Sequence, residues 1–246
     1  MFSKNIISKP LSISPKLTKY ETNIVEWLKP VIDLEGWYVY PVNGVTEGLT
    51  YWQAYTDIIL SGIVNDIPGE YEWVETQYLN LSTQKFTHYV SCPSAVNGNF
   101  IDLPTVINDN KIALDIAYVG STSIQHIELT NQVTHVFYSL SKAFGLNGVR
   151  TGWMFTRRPD IRMHKMKKLC YYNHNAHKIA EEVIKEYPID YSFNKYRDQQ
   201  LRICDKFNFE PSDCVWLGLS NDDKYKEYFR KGTNTARICL TNYYDS

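Results

Sequence analysis

The sequence predicts an α/β fold: a mostly parallel sheet sandwiched by helices, followed by a smaller α+β part at the C-terminal end. Three observations predict it. The runs "IALDIAYV" (112–119) and "HVFYSLS" (135–141) are nearly continuous stretches of apolar or small residues, the pattern of strands buried on both faces. Near the start of the chain, "GWYVYPV" (36–42) leads through Asn43-Gly44 into "EGLTYWQAYTDIILSGI" (47–63), which reads as strand, turn and helix. After Arg157-Arg158-Pro159-Asp160 the texture changes to long, well-charged helical segments.

In chain order, residues 1 to about 20 mix Ser, Lys, Pro and Ile without a clear period and read as an arm. "NIVEWLKPVI" (23–32) predicts a short helix broken near Pro30. Short β-rich runs follow at "YEWVETQY" (71–78), "THYVSCP" (87–93), "KIALDIAYV" (111–119), "THVFYSLS" (134–141) and "TGWMFT" (151–156). Residues 160–187 and "YSFNKYRDQQLRICDKF" (191–207) read as helices. The tail reads as a strand ("CVWLGL"), a charged helix ("DDKYKEYFRKG") and a last strand ("ARICLTNY"). The expected division is an arm over 1–20, a large domain over 21–165 and a reduced small domain over 166–246.

The 246 residues suffice for one large domain, or a large and a small one. Hydrophobic residues make up 43% and charged residues 22%, which suits a folded globular chain. A net charge of -1 offers no basis for a nucleic-acid or anionic-membrane partner. No apolar run approaches the roughly 20 residues that span a bilayer, and "MFSKNIISKP" has no sustained apolar stretch of a secretion signal. The five cysteines form no CxxC pair. An odd count without a secretion signal reads as reduced thiols, so a cytoplasmic location is expected. His174 and His177 lie three apart and share a helix face, but no acid or cysteine at ligand spacing accompanies them, so no metal is expected.

The chemistry concentrates in "YSLSKAFGLNGVRTGW" (138–153). Lys142 follows a buried-looking strand. An amine in a partly dry site has a lowered pKa and forms an imine with a carbonyl. Arg150 comes eight residues later, past Gly145 and Gly148, and its planar fork suits an anion. Ser139 and Ser141 flank the lysine, placed to reach the same anion or to hold the amine. This spacing of serine, lysine, two glycines and arginine strongly resembles the cofactor-lysine segment of fold-type I pyridoxal-phosphate enzymes, and more narrowly that of the class I/II aminotransferases. The resemblance implies a PLP-transferase-like large domain. It further implies that Lys142 holds pyridoxal 5'-phosphate as an internal aldimine and that Ser139, Ser141 and Arg150 bind the cofactor.

Distant segments extend the resemblance from about residue 40 to the end. Asp115 and Tyr118 in "ALDIAYVG" match the family's strand carrying an aspartate with a tyrosine three residues on. The resemblance implies that Asp115 keeps the pyridine nitrogen protonated and that Tyr118 donates to the ring's phenolic oxygen. Thr46, Glu47 and Gly48 in "NGVTEGLTYW" match a phosphate-cradling turn, where a helix N-terminus favours an anion; the Glu47 carboxylate must then point away. Tyr78 sits about where the family puts the aromatic that stacks on the ring, with Trp73 as competitor. The family's Asn-Pro-x-Asn-Pro-x-Gly corresponds to "CPSAVNG" (92–98). Ala95 takes the asparagine position, and Asn97, two residues on, is the candidate replacement. Arg237 in "TARICLTNY" matches the C-terminal arginine that grips the substrate α-carboxylate.

The activity so implied is amino-group transfer between an amino acid and a 2-keto acid in a homodimer, with Lys142, Asp115 and Tyr118 as the catalytic set. A lyase or decarboxylase of the same fold uses the same lysine, aspartate and phosphate clamp. A catalytically degenerate binding protein is the alternative from another class, favoured by Ala95 and by a chain shorter than is common in the family.

Overall fold

The computed structural model describes residues 18–55, 61–65, 85–103, 111–230 and 232–244. Tyr78 and Trp73, the run 71–78 and nearly all of the expected arm lie outside the described residues.

Helix α1 (Lys19–Leu28) starts in a reciprocal cap: Thr18 Oγ1 accepts from Glu21 N–H, and the Glu21 carboxylate accepts from Thr18 N–H. It ends just before Pro30 and buries Ile24, Val25 and Leu28. Strand β1 (Tyr38–Val42) turns through Asn43-Gly44 into α2 (Val45–Tyr55). The sequence suggests one helix through Ile63; α2 is described as far as Tyr55, and Ser61–Asn65 forms strand β2. The β-branched pair in "SGIVN" suits a strand, and pairing with the next strand decides between the two periods. Strands β3 (Lys85–Ser91), β4 (Lys111–Asp115), β5 (Val133–Ser139) and β6 (Gly152–Thr156) complete a six-stranded sheet in the order β1-β6-β5-β4-β3-β2. Strands β2 to β5 run parallel, and β6 is antiparallel to both β5 and β1.

Alternate residues of the central strands enter two cores. Ile112, Leu114, Val136, Tyr138, Trp153 and Phe155 face the side covered by α1 and by α5 (His174–Glu186). Ala113, Phe137 and Met154 face α2 and α4 (Ile161–Lys168), against Leu49, Trp52 and Met163. Both faces are thus dry, which is why these strands read as unbroken apolar runs. The expected long helix over 160–187 is two helices, because Cys170 takes a left-handed φ of 57° after α4 and Asn173 caps α5.

Helix α6 (Tyr191–Phe207) ends at left-handed Asn208 and packs on a three-stranded antiparallel sheet of β7 (Glu210–Pro211), β8 (Leu217–Ser220) and β9 (Ala236–Cys239). The expected charged helix near 222–232 is a short 3-10 turn, Asp223–Tyr228. Fully buried Gln200 ties α6 to the loop before β8: its amide donates to the carbonyls of Ser212, Cys214 and Leu217 at 2.8–3.1 Å. Ser212 in turn donates to the Asn97 carbonyl, and Ser192 to that of Ala143, so this unit docks on the C-terminal ends of the sheet strands.

His177 of α5 joins helix and sheet. Its Nδ1 accepts from the Tyr20 hydroxyl, and its Nε2–H donates to the Val42 carbonyl at 3.1 Å, one residue before the Asn43-Gly44 turn. Accepting at Nδ1 requires the neutral ring, whereas the Nε2–H bond is open to either form. Burial lowers its pKa from 6.5 to about 4. Across that window the unfolded chain carries a proton the folded chain refuses, so stability falls as pH drops from 6.5 toward 4. Between pH 7 and pH 4.5, urea unfolding is expected to lose up to about 3 kcal/mol more in the wild type than in His177→Gln. Equal pH slopes in the two proteins would contradict this role.

Candidate active site

The site residues gather where the parallel strands end, which is where an open α/β sheet leaves a crevice. Asp115 closes β4 and is fully buried. Its Oδ1 accepts from Ala117 N–H at 2.8 Å, and its Oδ2 accepts from the Tyr89 hydroxyl at 2.7 Å. These two donors offset the cost of taking a carboxylate out of water. Tyr89 lies on the neighbouring strand β3, paired with Ala113. Local pattern does not reveal it, because only the β3–β4 register brings it to an acid 26 residues away.

Strand β5 ends at Ser139 and passes into the four-residue helix α3 (Leu140–Ala143). Ser139 and Ser141 are buried, and Lys142 is exposed. The Lys142 amine stands 5.9 Å from the centroid of the Tyr118 ring. Its backbone carbonyl accepts from the Trp216 indole N–H at 2.7 Å, a contact across 74 residues that local pattern does not reveal. Tyr118 is buried, and burial pushes its phenol up to about 12 despite the lowering effect of Arg237. Arg237 starts from β9 and donates through Nη1 to the Tyr118 hydroxyl at 3.4 Å and to the Ala95 carbonyl. Lys142, Tyr118 and Arg237 thus form one continuous group.

Arg150 sits at φ 54°, a strained backbone for a side chain of its size. Its guanidinium lies against the β1–α2 turn. A Cβ built on Gly44, itself at φ 97°, would stand 2.5 Å from Arg150 Nη2. The structure therefore brings the predicted arginine to the N-terminus of α2. Thr46 lies exposed in the first turn there. Glu47 behaves as the sequence requires: its carboxylate folds back to accept from Asn43 N–H at 2.6 Å, from the Asn43 amide at 3.0 Å and from the Tyr51 hydroxyl at 3.2 Å. Asn43 also accepts from Asn173 N–H, anchoring the turn to the start of α5. A Cβ on Gly48 would meet Phe137 at 3.1 Å, so its smallness serves helix–sheet packing, and its N–H donates to the Gly44 carbonyl at 3.3 Å.

Asn97 is not brought to Tyr118. Its side chain accepts from Asn99 N–H in a local turn, and its carbonyl accepts from Ser212. Ala95 is the residue packed against Tyr118. The loop is packed against the C-terminal unit: a Cβ on Gly98 would meet Ser212, Leu217 and Cys214 within 2.9 Å.

Residues 110–203 match the family model for aminotransferase class I and II. That segment carries β4, β5, Asp115, Tyr118, Lys142 and Arg150. No curated protein matches the sequence significantly. Among solved structures, the aminotransferase AspB of Helicobacter pylori is similar with a TM-score of 0.64 at 15% identity, covering 94% of this chain and 80% of that one. A C-S lyase of Staphylococcus hominis, in complex with L-cycloserine, gives 0.63 at 13%, covering 96% and 78%. The L-threonine-O-3-phosphate decarboxylase of Porphyromonas gingivalis gives 0.55 at 18%, covering 82% and 79%. The aminotransferase fold of this chain is thus one that also hosts lyase and decarboxylase chemistry.

Gly44→Ala is expected to cost about 1–2 kcal/mol of backbone strain and to displace the Arg150 guanidinium. Gly36 also has positive φ, 78°, but nothing within 4 Å of a Cβ. Gly36→Ala therefore reports strain alone, and the urea midpoint of Gly44→Ala should fall below it. Equal midpoints would mean that Arg150 does not occupy the turn.

Proposed function

We propose that the protein is a pyridoxal-phosphate-dependent aminotransferase that moves an amino group between an amino acid and a 2-keto acid. The observation that carries this reading is the cradle at Gly44: a guanidinium in contact with the N-terminus of a helix, in the same crevice as a buried carboxylate and a lysine. A cation beside unpaired helix N–H groups suits a phosphate, and a wholly buried carboxylate with further acceptor capacity suits a protonated ring nitrogen. The residues therefore fit the cofactor.

In this reading Arg150, Ser139, Ser141 and the backbone N–H groups around Thr46 and Glu47 would hold the phosphate. Asp115 would hold the proton on the ring nitrogen, its own position fixed by Tyr89 and Ala117. Tyr118 keeps its proton at neutral pH, because burial holds its pKa far above 7, and would donate to the ring's oxygen. When bound, the cofactor supplies an aldehyde carbon for nitrogen exchange and a ring that accepts the electron pair left at the substrate Cα. Arg237 would grip the substrate carboxylate in a bidentate pair. The Lys142 amine would take the proton from Cα and return it to the cofactor's aldehyde-derived carbon, across the intervening nitrogen. A homodimer is part of the proposal, symmetric pairs being the commonest oligomer, and sedimentation velocity measures it.

A lyase or decarboxylase is the second reading, favoured by the two such enzymes among the similar structures. Absorption spectra of the holoenzyme separate the three. An aminotransferase loses its visible band with amino acid alone and recovers it with a 2-keto acid, whereas ammonia or carbon dioxide released in step with turnover overturns amino transfer. Lys142→Ala is expected to lower conversion by about a thousandfold or more with its far-UV circular dichroism unchanged. Undiminished conversion in that variant would remove Lys142 from the chemistry.

A further inference from the structure

The side of Lys142 that faces the C-terminal unit opens into a cavity of about 420 Å³. Its wall is largely aromatic: Tyr118 and Phe144 from the sheet side, Tyr191 and Tyr196 from α6, and Trp216 from the loop before β8. Apolar surface dominates, and Lys142 is the only charged residue among those lining it. The rings hold one another in place. Tyr196 and Trp216 lie 4.9 Å apart at 53°, and Phe144 stacks on Tyr191 at 6.3 Å. The Trp216 indole N–H is committed to the Lys142 carbonyl, so that ring is held to the backbone that carries the amine.

We infer that this cavity receives the side chain of the amino substrate, and that the substrate is an amino acid with a large, neutral, ring-bearing side chain. The inference rests on the amino-transfer reading and deepens it. Tyr118 belongs both to the cavity wall and to the pair with Arg237. A substrate whose carboxylate is held by Arg237 and whose Cα lies at the Lys142 amine therefore has its side chain directed along Tyr118 into the ring-lined space. An acidic side chain would be stripped of water there against fixed rings, which is costly; Lys195, 5.1 Å from the Tyr196 ring centroid, is exposed and is not among the lining residues. A methyl group would leave the space unfilled. An aromatic ring fills it and gains edge and face contacts with four or five fixed rings.

Cys239 lines the same cavity and is exposed, with Cys170 the other exposed thiol. In holoenzyme carrying Cys170→Ser, iodoacetamide therefore reports on the cavity without reference to turnover. A concentration of 3-phenylpropionate about four times its dissociation constant is expected to slow Cys239 alkylation about fivefold, with glutarate at equal concentration leaving it unchanged. In single-turnover spectra, L-phenylalanine should exceed L-alanine and L-glutamate in rate per concentration by about tenfold or more. Cys239→Trp, which fills the space from its rim, should lower the phenylalanine-to-alanine ratio by about tenfold; Thr241→Trp makes the same test if that variant does not fold. Conversion of alanine or glutamate as good as that of phenylalanine, with no protection of Cys239, overturns the inference and leaves amino transfer standing. Failure of every amino acid to convert the cofactor overturns the amino-transfer reading and the inference with it.

Discussion

A carboxylate held wholly out of water at the end of a central parallel strand is the constraint on which the rest of the site depends. Asp115 is tolerated there because a backbone N–H from two residues on and a phenol from the adjacent strand both donate to it. That arrangement needs β3 and β4 in one register, and the register is held by the dry packing of both sheet faces. A slip of one residue would exchange the two faces and take Tyr89 away from the acid. The apolar runs that build the sheet and the polar residues that end its strands are therefore one design.

The second constraint is distance along the chain. Lys142, Arg150 and Asp115 lie within 36 residues of one another, but the groups that fix them come from far away. Trp216 holds the Lys142 carbonyl, Gly44 makes room for Arg150, and His177 and Asn173 of the α5 region secure Val42 and Asn43, which lead into that turn. Helix α5 thus supports the crevice from behind, and the docking of the C-terminal unit through Gln200, Ser192 and Ser212 closes it from the front.

Much of this was legible in the sequence for a physical reason. The strands β4 and β5 are buried on both faces, and their apolar continuity announces it. The lysine, serines and arginine lie in one short turn whose spacing is set by local backbone geometry. What was not legible depended on pairing across long separations. Tyr89 looked like any strand tyrosine until register placed it on Asp115. The pattern "SGI" continues an apolar run that suits either period, and only its neighbour β3 draws Ser61–Asn65 into the sheet. Asn97 seemed able to replace the residue at Ala95, but Ser212 and Gly98 pin its loop against the C-terminal unit. At Gly48 the absence of a side chain also serves the contact of α2 with Phe137, which pattern alone does not reveal.

The measurement that tests the central claim most directly is borohydride reduction of the purified holoenzyme followed by peptide mass mapping. The account predicts a phosphopyridoxyl group fixed to the nitrogen of Lys142, in the peptide that contains Ser139 and Ser141. Its absence from every lysine, or its presence on a lysine remote from Asp115 and Arg150, would contradict the account.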